Sequence, residues 1–231
     1  MQSEISSKNQ PTEPDELKIL ITDDGSPTLL NKNINETYHS RHGARQESMH
    51  VFIHAGLKQM VKDPLHVLEI GFGTGLNATL TTLHGGHQSV HYTALEPYPA
   101  AIELLDQLHY FSTPAEMQLH RNIIHADFDK ITSLSSHFHL KKLKVKIQEF
   151  VTEEKYDLIY FDAFAPMVQP EMWTLSIFEH MFSLMSNNGI MVTYCAKGQV
   201  RRNMMAAGFS VERIAGPPGK REMLRATKKP S

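Results

Sequence analysis

The sequence of 231 residues is poor in cysteine and tryptophan, with one of each. The single cysteine, Cys195, excludes an internal disulfide and a zinc site built from several cysteines. No apolar run approaches the roughly 20 residues that a membrane-spanning helix needs. Residues 1–16 are polar and lack a hydrophobic signal core, so we expect a disordered tail on a cytoplasmic protein.

The chain also has little net charge, with a formal value of −2, but its charged residues are unevenly distributed. Residues 197–231 contain nine Lys or Arg and two Glu. Such a gradient indicates a basic face for a phosphate-bearing partner, although a solvated chain end explains Lys228 and Lys229 equally well. His50 and His54 are the only histidine pair at i, i+4 spacing in a strongly helical stretch, and no H-E-x-x-H motif occurs, so no metal site is predicted.

The most informative stretch is the apolar strand and glycine loop of residues 67–77, VLEIGFGTGLN. Three glycines at alternate positions predict a tight strand-to-helix turn whose backbone approaches a ligand. A dinucleotide fingerprint has its third glycine where this chain has Leu76. The pattern E-x-G-x-G-x-G is instead typical of S-adenosylmethionine (SAM) methyltransferases, and a glycine turn that binds nothing is the alternative. The residues predicted to contact the cofactor here are Glu69, Gly71, Phe72, Gly73, Thr74, Gly75 and Asn77, with the Glu69 carboxylate facing the cofactor's ammonium group.

Residues 17–62 predict a small N-terminal unit. Two short strands flank the turn signal DDGSP at residues 23–27, and apolar residues at helical spacing run from Gln46 to Val61. Residues 63–231 alternate apolar strands with helical segments, which predicts one α/β domain with an open, mostly parallel sheet. Ligands bind such sheets outside the carboxyl ends of the strands.

Three acidic residues follow predicted strands of this domain. Glu96 lies where a nucleoside-binding α/β fold accepts both ribose hydroxyls, and a surface strand end is the alternative. Asp127 follows a predicted strand at residues 121–125, where SAM methyltransferases bind the adenine amino group, but a loop or helix N-cap fits equally well. Asp162 follows an apolar strand and is expected beside the same pocket.

Residues 137–149 alternate apolar side chains with four lysines. This pattern fits an edge strand protected by lysines, an inserted hairpin or a basic contact strip.

Five sequence blocks carry a family resemblance: GFGTGLN at 71–77, DAFAP at 162–166, MWT at 172–174, VRR with AGF at 200–209, and KREML at 220–224. In this order they resemble the methyltransferase domain of the MnmC family of tRNA-modifying enzymes. The resemblance runs from about Leu17 to about Ala226 and implies a class I SAM-dependent methyltransferase with a Rossmann-like, seven-stranded, mostly parallel sheet. It also implies methylation of the exocyclic amine of 5-aminomethyl-2-thiouridine at the tRNA wobble position.

The chain departs from the family pattern in three respects. It stops before an FAD-dependent oxidase domain and so resembles the stand-alone methyltransferase form, for which no FAD is expected and a separate oxidase becomes an expected partner. The stretch at residues 137–149 is longer than the family core requires. The sequence GPP at residues 216–218 replaces the usual Gly-Phe-Gly.

The resemblance also implies roles for particular residues. Asp162 is expected to contact the cofactor and, as the catalytic carboxylate, to orient the attacking amine or take its proton, with a structural aspartate as the alternative. Phe164 and Pro166 are expected to wall the pocket beside the flipped base, while Tyr160 fits either base stacking or the core. The expected tRNA phosphate contacts are Lys197, Arg201, Arg202, Lys220 and Arg221.

Three rival functions remain open from the sequence. A small-molecule methyltransferase shares the cofactor residues but does not need the basic C-terminal segment. A polyamine synthase also carries an aspartate after its fourth strand and transfers an aminopropyl group from decarboxylated SAM. A scaffold that has lost its chemistry is the third, and the intact Glu69, Glu96 and Asp162 argue against it.

Overall fold

The computed structural model of the protein describes residues 17–230, so the predicted tail at residues 1–16 lies outside the described part. The strands are β1 Leu17–Ile21, β2 Pro27–Asn31, β3 Glu36–Thr37, β4 Leu65–Ile70, β5 Val90–Leu95, β6 Ile131–Ser135, β7 Phe138–Leu143, β8 Tyr156–Phe161, β9 Met185–Thr193, β10 Ser210–Ala215 and β11 Glu222–Thr227. The α-helices are α1 Ala44–Ser48, α2 Leu76–His84, α3 Ile102–Leu105, α4 Pro114–His125, α5 Leu175–Leu184 and α6 Gly198–Ala206.

The main sheet has eight strands in the order β10-β11-β9-β8-β4-β5-β7-β6. Five central strands run parallel, whereas the pairs β10–β11, β11–β9 and β6–β7 are antiparallel. The predicted mostly parallel α/β fold is therefore confirmed, with eight strands instead of seven because β6 adds an edge. The chain leaves β4 toward β5 on one side and later reaches β8 on the other, so the crevice between their carboxyl ends is a topological switch point.

Alternation along the central strands divides the core between the two faces of the sheet. Val67 packs with the cluster that includes α2 and α4, while Leu68 packs with the cluster under α5 and α6. No helix in residues 17–230 is long and apolar enough to cross a membrane.

The strand predicted at residues 121–125 is wrong, because these residues form the last turns of α4. Thr113 caps the helix by accepting the Glu116 amide at 3.2 Å, and Pro114 occupies the first helical position. The hydroxyl of Thr113 in turn donates to the Glu116 carboxylate at 2.8 Å. Strand β7 occupies the place beside β5 that was expected for residues 121–125, and it pairs in parallel with β5.

Within residues 137–149, Phe138–Leu143 form β7, which pairs antiparallel with the edge strand β6, and residues 144–149 follow β7. Of the four lysines in this stretch, Lys142 cannot contribute to a basic contact strip. Lys142 is only 1% exposed, and its Nζ donates to the Ile124 carbonyl at 2.7 Å. The same Nζ lies 4.9 Å from the ring centre of Phe72 and 4.7 Å from that of Phe128. Because Lys142 is buried, its pKa falls to about 8.

The N-terminal unit forms its own antiparallel sheet, β1-β2-β3, as the hairpin signal predicted. The predicted helix begins at α1, continues as a π-helix over Met49–His54 and closes with a 3-10 turn at Leu57–Gln59. Phe52 of the π-helix shares a core cluster with Val67 and Leu158 of the main sheet. The unit is therefore packed directly onto the α/β domain.

Candidate active site

A cavity of about 1120 Å³ lies outside the carboxyl ends of β4, β5 and β8. The N-terminal unit supplies its opposite wall through residues 36–42 and Glu47. A typical small-molecule pocket measures roughly 300–1,000 Å³, so this cavity has room for a cofactor and part of a second ligand. Of the residues predicted from sequence, those that line it are Gly71, Phe72, Gly73, Thr74, Asn77, Glu96, Asp162, Phe164 and Lys220.

The glycine loop brings β4 and β8 into close contact. Gly71 has a φ of +91°, and a Cβ at this position would lie 2.5 Å from the Asp162 carbonyl oxygen. Gly75 has a φ of +74° and is the N-cap of α2, and it does not line the cavity. Only glycine satisfies both the backbone conformation and the approach at residue 71.

Glu96 closes the other side of the loop at the end of β5. One carboxylate oxygen accepts the Gly73 amide at 2.9 Å and the other accepts the Tyr98 amide at 3.0 Å. Burial raises the pKa of Glu96, and the two amide hydrogen bonds oppose that rise. A carboxylate has about four acceptor sites, so two remain for a ligand's hydroxyls.

Asp162 lies at the end of β8, half-buried in the cavity wall. Its Oδ2 accepts the side-chain amide of Asn77 at 2.9 Å, and its backbone amide donates to the Ile70 carbonyl at 3.0 Å. Burial and the charge of Glu47 raise the pKa of Asp162 to about 7, while the Asn77 hydrogen bond and Lys220 oppose the rise. The group therefore titrates in the range where a general base operates.

Aromatic side chains wall the cavity next to Asp162. The Phe164 ring meets the Tyr38 ring edge-on with centroids 5.3 Å apart, and the Phe164 carbonyl accepts the Trp173 indole N–H at 2.8 Å. Pro166 follows in the same loop but does not line the cavity. Tyr160 is fully buried and its hydroxyl is 3.1 Å from that of Thr81, so it belongs to the core.

Glu69 and Asp127 do not line the cavity, and their predicted contacts with the cofactor stay predictions. Glu69 is fully buried on the same face of β4 as Val67, and neither carboxyl oxygen has a hydrogen-bond partner within residues 17–230. Burial raises the pKa of Glu69 well above its usual range. Asp127 follows α4 and not a strand, and it is exposed and paired with Lys130 at 2.9 Å.

The predicted basic residues divide between the cavity wall and the protein surface outside it. Lys220 lies in the cavity wall, where its Nζ is 2.6 Å from a Glu47 carboxylate oxygen. Lys197, Arg202 and Arg221 are exposed, and Arg201 is half-buried, all outside the cavity lining. Lys220 therefore belongs to the pocket, and the other four form the candidate outer basic surface.

The cavity residues that escaped the sequence reasoning include Tyr38, Glu47 and Tyr194. Tyr194 directly follows β9, so the rule that ligands bind at strand ends was sufficient to find it. Glu47 sits within an amphipathic helix and Tyr38 follows a two-residue strand, and neither position carries a local signal of a site.

These features fit a nucleoside-bearing cofactor. The loop backbone is free of Cβ atoms at Gly71 and Gly73, and Glu96 retains free acceptor sites at the end of the second strand of the main sheet. Among residues 17–230 no three His, Cys, Asp or Glu side chains are arranged to hold a metal ion.

The fold and site are those of a class I methyltransferase. Residues 107–229 match the sequence profile of a family described as S-adenosyl-L-methionine-dependent methyltransferase, and the chain belongs to this family. It is 28% identical over 211 residues to the "tRNA 5-methylaminomethyl-2-thiouridine biosynthesis bifunctional protein MnmC" of Methylobacillus flagellatus, covering 83% of this chain and 32% of that protein. The protein of the same name from Pseudoalteromonas atlantica is 29% identical over 226 residues, covering 87% and 32%. The chain thus spans about a third of the length of these relatives.

Solved structures agree on the fold. MnmC2 from Aquifex aeolicus superposes with a TM-score of 0.77 at 24% identity, covering 93% of this chain and 72% of that one. Spermidine synthase from Thermotoga maritima superposes with a TM-score of 0.58 at 12% identity, covering 92% and 68%.

Proposed function

We propose that this protein methylates the exocyclic amine of 5-aminomethyl-2-thiouridine at the wobble position of tRNA, with SAM as the methyl donor. The observation that carries the proposal is the half-buried Asp162 beside the glycine loop, in a cavity large enough for a second ligand. The similarity to the MnmC relatives supports the choice of tRNA as the substrate. A tRNA substrate also supports a cytoplasmic location.

The cofactor is expected to rest on the backbone of residues 71–75, with its ribose hydroxyls on Glu96. When bound, it supplies an electrophilic methyl group whose bond to sulfur breaks as the bond to nitrogen forms. Asp162 orients the lone pair of the attacking amine and takes the proton that the nitrogen releases. Asn77 fixes the carboxylate through its 2.9 Å hydrogen bond.

The modified base has to leave the anticodon stack to reach this carboxylate. Tyr38 and Phe164 form an aromatic wall beside Asp162, suited to stacking on a splayed base. Lys197, Arg201, Arg202 and Arg221 are proposed to contact tRNA phosphates, and a separate enzyme is proposed to supply the aminomethyl precursor.

Nucleoside analysis of tRNA from a strain lacking the gene tests the substrate. We expect 5-aminomethyl-2-thiouridine to accumulate and its methylated product to disappear, and restoration by the wild-type gene is the control. An unchanged nucleoside profile would contradict the proposal. Accumulated putrescine would instead favour aminopropyl transfer, the alternative function suggested by the similarity to the spermidine synthase fold.

Charge reversal at Arg201 and Arg202 tests the outer basic surface. Each lost phosphate contact lowers the slope of log affinity against log salt by roughly one unit. Reversal at the exposed Lys229 is the matched control. If tRNA affinity and its salt slope are unchanged in the Arg201→Glu, Arg202→Glu double variant, this surface does not bind tRNA.

A further inference from the structure

A partly buried ion pair lies in the wall of the cavity, formed by residues far apart in sequence. Glu47 of α1 has an 8% exposed side chain, and its Oε1 accepts Lys220 Nζ at 2.6 Å. Its Oε2 accepts the Ser40 backbone amide at 2.7 Å. Lys220, in the turn between β10 and β11, also lies 3.9 Å from the centre of the Tyr194 ring. Each charge is therefore held by a second contact besides its partner.

The pair is connected to the strand end that carries Asp162. The Tyr194 hydroxyl donates to the carbonyl of Ala163, the residue after Asp162, at 2.8 Å. Asp162, Glu47, Lys220 and Tyr194 all line the same cavity. The catalytic carboxylate thus faces one acid and one cation whose effects on its protonation are opposite in sign.

We propose that Glu47 and Lys220 are positioning residues that set the charge of Asp162 as it meets the substrate amine, a role that rests on the proposed function. Without Lys220, the unpaired carboxylate of Glu47 opposes ionisation of Asp162. Without Glu47, the ammonium group of Lys220 favours it. The intact pair balances the two effects and keeps Asp162 able to accept a proton near neutrality.

Other titratable groups that bear on Asp162 come from two further strands. Glu69 of β4 and Tyr92 of β5 interact with its charge, as does Tyr194 after β9. Burial raises the pKa of each of these three groups well above its usual range, which favours their neutral forms. From α2, the contact is the uncharged amide of Asn77. Glu47 and Lys220 are therefore the charged groups on which the balance depends.

The test is the pH dependence of tRNA methylation under single-turnover conditions with saturating SAM. Glu47→Gln retains an oxygen for the Ser40 amide, and Lys220→Met retains the alkyl chain against Tyr194. We expect the acidic limb to move down by roughly 0.5–1 pH unit in Glu47→Gln and up by a similar amount in Lys220→Met. The double variant is expected near the wild-type limb, and Lys220→Arg, which keeps the charge, is the matched control.

Carbon-13 NMR titration of the Asp162 carboxyl, assigned by its loss in Asp162→Asn, gives the same shifts without turnover. Opposite shifts in the two single variants support the proposal, while equal, same-direction or missing shifts overturn it. The NMR titration distinguishes failure of the proposed electrostatic role from failure of the proposed function. A preparation that shows the opposite NMR shifts but never methylates tRNA refutes the proposed function and leaves the electrostatic role intact.

Discussion

Replacement of Gly71 by alanine tests how the glycine loop joins the cofactor site to the catalytic strand. The new Cβ would lie 2.5 Å from the Asp162 carbonyl oxygen, at a φ of +91°. Left-handed backbone costs an L-residue about 1–2 kcal/mol. Relief of the overlap with backbone requires β4 and β8 to separate, and such overpacking typically costs about 1–3 kcal/mol more. We therefore expect Gly71→Ala to lower the free energy of unfolding by roughly 2–5 kcal/mol.

Gly86 provides the matched control. Its φ is +68°, but no atom lies within 4 Å of the position that a Cβ would occupy, so alanine there meets only the conformational penalty. The effect of the substitution on unfolded-chain entropy is shared by both variants and cancels in the comparison. Urea denaturation gives the two stabilities, and calorimetry gives SAM affinity. The reasoning is refuted if Gly71→Ala loses no more stability than Gly86→Ala, or if it binds SAM as tightly as wild type.

Three further predictions concern Lys142, Asp162 and Tyr38. Because folding lowers the pKa of Lys142 from its ordinary value of 10.5 to about 8, the unfolded chain binds more protons between these two pH values. Wild type should therefore gain about 2 kcal/mol of stability over Lys142→Met between pH 7 and 10. Urea denaturation at the two pH values checks this, and a constant difference contradicts it. Because the pKa of Asp162 is raised to about 7, the single-turnover methylation rate should fall about tenfold per pH unit as the pH drops below about 7. A methylation rate that stays constant down to pH 5 excludes Asp162 as the base. Tyr38→Ala should raise the KM for tRNA roughly tenfold, since one base stack is worth about 1–3 kcal/mol. Tyr38→Phe keeps the aromatic ring and should leave the KM unchanged. Equal effects of the two variants on the KM argue against stacking.

Local pattern predicted most of the α/β fold, because strands and helices with clear periodicity depend little on distant context. The apolar strand expected before the glycine loop is β4, and Glu96 directly follows β5 as expected. The strand expected at residues 121–125 was wrong, although the segment contains two β-branched residues, Ile123 and Ile124, which favour strands. The capping pair Thr113 and Glu116 starts a helix that continues through them.

The site was predictable where a residue directly follows a strand. Glu96 and Asp162 both line the cavity because the carboxyl ends of parallel strands meet there. Glu69 lies one residue before the end of β4, and strand alternation buries its side chain beside Val67. The pairing of Glu47 with Lys220 joins residues from opposite ends of the chain, and no local pattern in either segment encodes it.

The most direct test of the central claim is a reaction of purified protein, SAM and tRNA carrying 5-aminomethyl-2-thiouridine, followed by nucleoside mass spectrometry. Wild type should convert the wobble nucleoside to a product heavier by one methyl group in place of hydrogen. Asp162→Asn should bind SAM but form that product at least a hundredfold more slowly, since positioned acid–base groups contribute about 10²–10⁴-fold. An unmodified wobble nucleoside with wild type, or equal rates for the two proteins, would contradict the account.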